Sequence, residues 1–255
     1  MKVVAGCDGG GTKCHVKICL CDDDGAILQS VEAISGAANI RSNPKMALQN
    51  IQQATKAAIA RLERIDQPVI DTMVAALAGA GNKDSQVEWQ SILVEKFPTA
   101  HVEVVTDAEI LFAAAQKEGA AVATIIGTGS IAWARDHEGR LFRAGGLGPE
   151  AGDEGSAFWI GKQAVQYVEN SGDSSQLTES VKKEKSNSSA MLTNREIAQL
   201  APIVFELAKK DVAAERIVAS AAEHIARLIK DSTHSISTSA SQPLPWICAG
   251  GVAIG

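Results

Sequence analysis

The chain has 255 residues, of which 45% are hydrophobic and only 4% aromatic, so its core or cores must be built from Val, Ile, Leu and Ala. Lysine and arginine number 24 against 30 acids, a formal charge of −6 without a basic tract, which argues against nucleic acid as the main partner. No apolar run reaches the length of a membrane span and the N-terminus lacks a signal-peptide pattern, so a soluble cytoplasmic protein with no membrane partner is expected.

The first strand-like run, about 2–8, ends in Asp8 and enters Gly9-Gly10-Gly11-Thr12-Lys13, after which alternation resumes over 14–21. Three successive glycines remove every Cβ, so backbone N–H groups can approach an anion closely. Thr12 adds a hydroxyl donor and Lys13 a cation. Asp8 would repel a phosphate directly, but it can hold a water on Mg²⁺. Together these residues read as a metal–polyphosphate site, with a plain glycine-rich hairpin turn as the alternative.

A third strand, about 26–34, follows the turn Asp22-Asp23-Asp24-Gly25. Over 44–64, Met46, Leu48, Ile51, Ala54, Ala58 and Leu62 recur at helical spacing, with Asn43 suited to cap the helix and Pro44 to its first turn. A strand at 71–78, a helix near 85–96, a strand at 101–105 and a helix opening at Asp107 complete a mixed sheet covered by helices. A similar order then restarts. Val122–Ile126 is a strand running into Gly127-Thr128-Gly129-Ser130, followed by the strand Ile131–Arg135, the turn His137-Glu138-Gly139-Arg140 and a short strand from Leu141. A helix is expected near Asp153-Glu154-Gly155-Ser156, with Asp153 as a candidate cap. Residues 171–193, rich in Ser, Lys and Glu, are expected to form a mobile surface loop. Helical periodicity returns at 194–209 and 212–231; 232–245 is rich in Ser, Thr and Pro, and Trp246–Ala249 is a last strand ending in Gly250-Gly251. The repeated strand–glycine turn–strand unit divides the chain into domains 1–118 and 119–255, with two phosphate-type turns facing one cleft.

The five cysteines (Cys7, Cys14, Cys19, Cys21, Cys248) show no paired CxxC spacing, so reduced thiols are favoured over zinc or iron–sulfur ligation. Phe158 and Trp159 lie in a helical apolar pattern and read as core, and the scattered histidines carry no assigned role.

Two glycine turns, each after the first strand of its domain, resemble the superfamily of sugar kinases, heat-shock chaperones and actin. Within it the chain resembles the N-acetylglucosamine kinase group, classed with the BadF/BadG/BcrA/BcrD ATPases. The carriers are Asp8–Lys13, Ser35–Asn39, the stretch 77–83, Thr106-Asp107-Ala108, Gly127–Ser130, the run 145–161 and Gly250-Gly251-Val252. The resemblance implies an α/β fold of two ribonuclease-H-like (actin-like ATPase) domains with an interdomain cleft, using ATP and Mg²⁺ to phosphorylate the 6-hydroxyl of N-acetylglucosamine or glucosamine. By the same resemblance Gly10, Gly11, Thr12 and Lys13 would hold the β/γ-phosphates. Gly127, Thr128, Gly129 and Ser130 would hold the other side of the triphosphate, and Gly250 and Gly251 would approach the adenosine. Asn39, Gly146, Leu147, Gly148 and Asp153 would meet the sugar. Asp107 would touch it as general base, and a homodimer is a candidate assembly. The residues alone leave alternatives: Asp107 also suits a helix N-cap, Asn39 an Asx turn and Asp153 a cap.

Two departures bear on the resemblance. Leu147 stands where the vertebrate-type pattern has an aromatic, and the stretch Ser35–Ile40 is shared with bacterial glucosamine kinases, so the free amine and the N-acetyl form are not separated. Related chains also continue past the Gly250-Gly251 motif, so a C-terminal domain truncated at Gly255 is expected. The competing functions are an ATPase activator of the BadF/BcrA type and a non-catalytic nucleotide or sugar sensor. Such activators place cluster-ligating cysteines near the second glycine motif, whereas residues 120–161 contain none.

Overall fold

The computed structural model describes residues 1–115, 118–187, 191–234, 236 and 243–254, and divides into two compact units, Met1–Ile110 and Leu111–Gly255. In the first unit the chain forms β1 (Lys2–Gly9), β2 (Cys14–Cys21), β3 (Ile27–Ser35), α1 (Pro44–Ile59), β4 (Thr72–Leu77), α2 (Lys83–Lys96) and β5 (His101–Val105), and α3 (Asp107–Ala114) leads out of it. Its five-stranded sheet has the order β3-β2-β1-β4-β5, antiparallel across β1–β3 and parallel across β1, β4 and β5. Val3, Ala5 and Cys7 of β1 face the core with Val16, Ile18 and Leu20 of β2, as period-two alternation requires. Helix α1 covers this side through Ala47, Ile51, Ala54 and Ala58. Its start is as the sequence predicts, with Asn43 capping Met46 N–H and Pro44 in the first turn, but it ends at Ile59 rather than 64. Leu62 still reaches the core from the irregular segment that follows.

The second unit contains β6 (Ala121–Ile126), β7 (Ser130–Arg135), β8 (Leu141–Gly145), α4 (Ala157–Ser171), α5 (Gln176–Asn187), α6 (Asn194–Ala198), α7 (Ala201–Leu207), α8 (Val212–Thr233), β9 (Trp246–Ala249) and α9 (Gly251–Ile254). Its sheet has the order β8-β7-β6-β9, with β6 antiparallel to β7 and parallel to β9. The core of its helical layer joins Ile160, Ala164, Val168, Leu177, Val181 and Val204.

Two expectations change here. The loop expected over 171–193 contains α5, although 188–190 lie outside the described residues. Leu177 and Val181, one turn apart, are fully buried, and that narrow stripe is enough to dock an otherwise charged helix. Ser175 caps it by accepting the Thr178 N–H, while Asp173 accepts from the hydroxyls of Thr178 and Tyr167 at 2.6 and 2.5 Å. The helix expected over 194–209 is two short ones, α6 and α7, broken ahead of Pro202 in the first turn of α7. Of the Ser/Thr-rich stretch 232–245, residues 235 and 237–242 lie outside the described residues.

Candidate functional site

In the first unit, the parallel strands β1, β4 and β5 deliver their carboxyl ends to one edge of the sheet. Asp8, Ala76 and Val105 stand in register across it. Open α/β sheets bind ligands at such edges. The first glycine turn is fastened there by backbone alone. Gly10 N–H donates to Lys13 O at 2.9 Å, Ala38 N–H to Gly10 O at 2.8 Å and Ala78 N–H to Gly9 O at 2.8 Å. A Cβ on Gly9 would lie 2.7 Å from Leu77 Cδ2, so this glycine is demanded by close packing. With the Gly10 amide committed to the turn, Gly11, Thr12 and Lys13 remain as exposed donors.

The same web brings Asn39 to this edge, since Ile40 N–H donates to Ala78 O. Asn39 Oδ1 accepts the N–H groups of Arg41 and Ser42 at 2.9 and 3.0 Å, so the Asx-turn alternative describes its carbonyl. Asp107 follows β5 by two residues as the first residue of α3, and its side chain lies outside the described residues. The cap of α3 is held by its neighbour Thr106. Thr106 Oγ1 accepts Glu109 N–H at 3.1 Å and the Glu109 carboxylate accepts Thr106 N–H at 2.7 Å, a capping box. The T-x-x-E spacing of Thr106 and Glu109 announces this box in the sequence.

Two thiols flank the first turn on the core side. Cys7 and Cys14 have their Sγ atoms 3.6 Å apart, and Cys7's thiol lies well above its ordinary range through its bond to Cys14 and through burial. All five cysteines are free.

In the second unit the parallel pair β6 and β9 again ends at one edge, with Ile125 opposite Ala249. Gly250 sits against the end of β6 with φ +101°, where a Cβ would lie 2.3 Å from Ile126 O. The turn Gly127–Ser130 is stitched to the chain that follows β8. Gly127 N–H donates to Gly129 O, Gly146 N–H to Ser130 O, Ala157 N–H to Gly127 O and Phe158 N–H to Thr128 O, all within 2.9–3.2 Å. Ser130 donates its hydroxyl to Glu154 O at 2.9 Å and its N–H to Asp153 Oδ1 at 3.3 Å. Gly127 and Ser130 therefore shape the turn, and Thr128 and Gly129 are left to face an anion.

Asp153 is not the helix cap that the sequence suggested. Ser156 caps α4 by accepting Trp159 N–H, and the helix begins at Ala157. Asp153 instead lies buried with φ +63°, against Gly129, and meets the N–H groups of Ser130 and Gly148. Burial pushes its carboxyl above the usual range, opposed by those two N–H groups. The sugar-loop candidates Gly146 and Gly148 are thus gathered next to the second turn, while Leu147 points out at 66% exposure. Phe158 is buried and Trp159 packs edge-on against His224, as core positions.

Asp8 is exposed at the end of β1 beside the first turn. A single exposed carboxylate next to exposed backbone amides fits Mg²⁺, which keeps several waters and takes other oxygens from substrate phosphates. Among the described residues no cluster of three or more His, Cys, Asp or Glu could hold a metal by itself, and no helix is long and apolar enough to cross a membrane.

Two mixed sheets, each with a glycine turn after its first strand, define the fold of sugar kinases and actin-like ATPases. The chain belongs to the BadF/BadG/BcrA/BcrD ATPase family, whose profile matches residues 5–254. It is 30% identical, over 99% of its own length and 86% of the relative's, to an N-acetylmuramic acid/N-acetylglucosamine kinase of Clostridium acetobutylicum. It is 32% identical to the glucosamine kinase GspK of Vibrio cholerae over 66% of this chain and 55% of that protein. In structure it is similar to a Chromobacterium violaceum protein provisionally described as an N-acetylglucosamine kinase. The TM-score is 0.77 at 23% identity, with 100% of this chain and 89% of that one covered.

Proposed function

We propose that this protein is an ATP-dependent sugar kinase that transfers the γ-phosphoryl group to the 6-hydroxyl of an amino sugar. The amides of Gly11 and Thr12, with the Thr12 hydroxyl and the Lys13 cation, bind the β/γ-phosphates from the first unit. Thr128 and Gly129 bind the triphosphate from the second, and Gly250-Gly251 meets the adenosine. Asp8 would hold Mg²⁺ through water, and the ion would supply charge neutralisation on the phosphates. Asp107 accepts the proton of the sugar hydroxyl as its oxygen bonds to the γ-phosphorus, and the bond to the β-phosphate oxygen breaks to release ADP. Asn39 and the 146–148 loop orient the sugar.

The observation that carries this reading is the arrangement of the second edge. Phosphate turn, glycine loop and a buried carboxylate are joined by direct hydrogen bonds, which suits a site where a triphosphate and a polyol must lie together. ADP release measured with N-acetylglucosamine, glucosamine, N-acetylmuramic acid and no sugar tests it. Sugar-dependent turnover yielding a 6-phosphate is expected. Turnover that ignores sugar would mark an activator-type ATPase, and nucleotide binding without turnover a sensor.

A further inference from the structure

Between β8 and α4 the chain runs through Gly145, Gly146, Gly148, Gly152 and Gly155. Four of these, all but Gly152, have positive φ. Glycines adopt such angles without strain, but ordering a glycine-rich segment costs more conformational entropy than any other. Something must hold it. Two charged side chains do so, from opposite ends and with opposite signs.

Arg143 folds back along the segment it precedes. Its Nε donates to Gly145 O at 3.0 Å and a terminal nitrogen to Gly146 O at 2.6 Å, while the guanidinium lies 5.9 Å from the centre of the Trp133 ring. The planar fork of arginine suits two successive carbonyls in a way that an ammonium does not. Asp153 takes the N–H side: Ser130 at 3.3 Å and Gly148, with its other oxygen placed where a Cβ on Gly129 would be 2.7 Å away. A cation therefore meets carbonyl oxygens and an anion meets amide hydrogens, the charge-matched pairing in each case. The hydrogen bonds of Arg143 go to the loop, with Trp133 under its guanidinium; Asp153 meets loop and phosphate turn together.

We propose that Arg143 and Asp153 are positioning residues that hold the 145–148 loop and the second glycine turn as one rigid piece, Arg143 through the loop alone and Asp153 through both. This rests on the kinase reading only for which ligand each segment meets, sugar at the loop and phosphate at the turn. Asp153 then couples the two ligands inside the second unit: loosening it weakens both, whereas loosening Arg143 weakens the sugar.

Hydrogen exchange of the full chain, read by mass spectrometry, tests the clamp without requiring turnover. Arg143→Ala should accelerate exchange over 145–148 and leave 127–130 as in the wild type. Asp153→Gly, which keeps the positive φ free of strain, should accelerate both segments by about tenfold or more, the factor implied by losing a hydrogen bond to a charged group. Asp153→Asn, one acceptor for two donors, should fall between. Kinetically, Arg143→Ala should raise KM for sugar alone, and Asp153→Asn should raise KM for both sugar and ATP. Unchanged exchange over 127–130 in Asp153→Gly, or an equal rise across the whole second unit in either variant, would overturn the proposal. A wild type without sugar-dependent ADP release would sink the kinase reading, while the exchange pattern would still decide the clamp.

Discussion

Replacing Gly161 by alanine should destabilise the protein, against the usual sign for a helix. Gly161 lies inside α4, where Gly→Ala ordinarily gains about 1 kcal/mol from reduced backbone entropy. Here the new Cβ would lie 1.9 Å from Ile197 O, 2.8 Å from its carbonyl carbon and 3.1 Å from its Cγ2. The obstacle is the backbone of α6, and α6 is itself fixed by the capping box between Thr193 and Glu196. Neither helix can yield by a rotamer change, so they must part. Overpacking costs about 1–3 kcal/mol, and a backbone clash belongs at the upper end. Net of the entropy gain, the loss is about 2 kcal/mol, or roughly 4–8 °C in Tm for a chain of this size. The damage should also travel. Ala157 and Phe158 at the start of α4 donate to Gly127 O and Thr128 O, so a displaced α4 drags the second glycine turn and KM for ATP should rise. Urea and thermal unfolding, with the urea slope checked for constancy, provide the stability readout. A variant that melts at or above the wild-type temperature would refute the packing argument.

Asp107→Asn should lower kcat by about 10²–10⁴-fold, the usual contribution of general base catalysis, with KM for ATP and sugar within a few-fold; near-normal kcat would leave Asp107 as an ordinary first-turn residue. Gly250→Ala combines a φ of +101° with a Cβ 2.3 Å from Ile126 O, so ATP binding measured by calorimetry should weaken along with stability, and unchanged affinity would remove Gly250-Gly251 from the nucleotide site. Hydrogen bonds from the Thr178 and Tyr167 hydroxyls hold the Asp173 carboxyl well below its ordinary value. A depressed folded-state pKa stabilises above the unfolded value of about 4, and that stabilisation is lost as pH falls through and below it. The Tm deficit of Asp173→Asn should therefore be greatest near neutral pH and shrink in acid; a deficit independent of pH would contradict this.

Period-two alternation made the first sheet legible, because β1 and β2 each bury one face, while β6 was legible as a short apolar run that ends in a glycine turn and is buried on both faces. The turns themselves were legible as glycine-rich strand ends. What each amide in them does was not. Gly10 turns its N–H inward to Lys13 O, and its carbonyl and that of Gly9 are held by Ala38 and Ala78 from far along the chain, which no local pattern encodes. Helix α5 was hidden because its buried stripe is only Leu177 and Val181 amid lysines and glutamates, although Ser175 and Asp173 just upstream are cap signals. The cap alternative for Asp153 arose because acid-before-helix is a local rule, whereas its contacts come from Gly148 and from Ser130, 23 residues away. Arg143 went unnoticed altogether, since an arginine at a strand end reads as a solvated charge until its two carbonyl partners are seen.

The order in which strands join each sheet sets when each unit can fold during synthesis. The first unit has all its strands once β5 is made, and its last pairing, Ala76 with Val105, spans a short stretch of chain. The second cannot place β6 between two neighbours until β9 arrives, since Val122 must wait for Trp246. At about 5–20 residues per second a ribosome takes roughly 6–24 s to cover that interval. For that time the β9-facing edge of β6, flanked by the buried Ala121 and Ala123, stands unpaired beside a first unit already complete. Long-range parallel pairing is slow and exposed to aggregation. The nascent second unit, rather than the finished protein, is thus where a chaperone would have the most to bind.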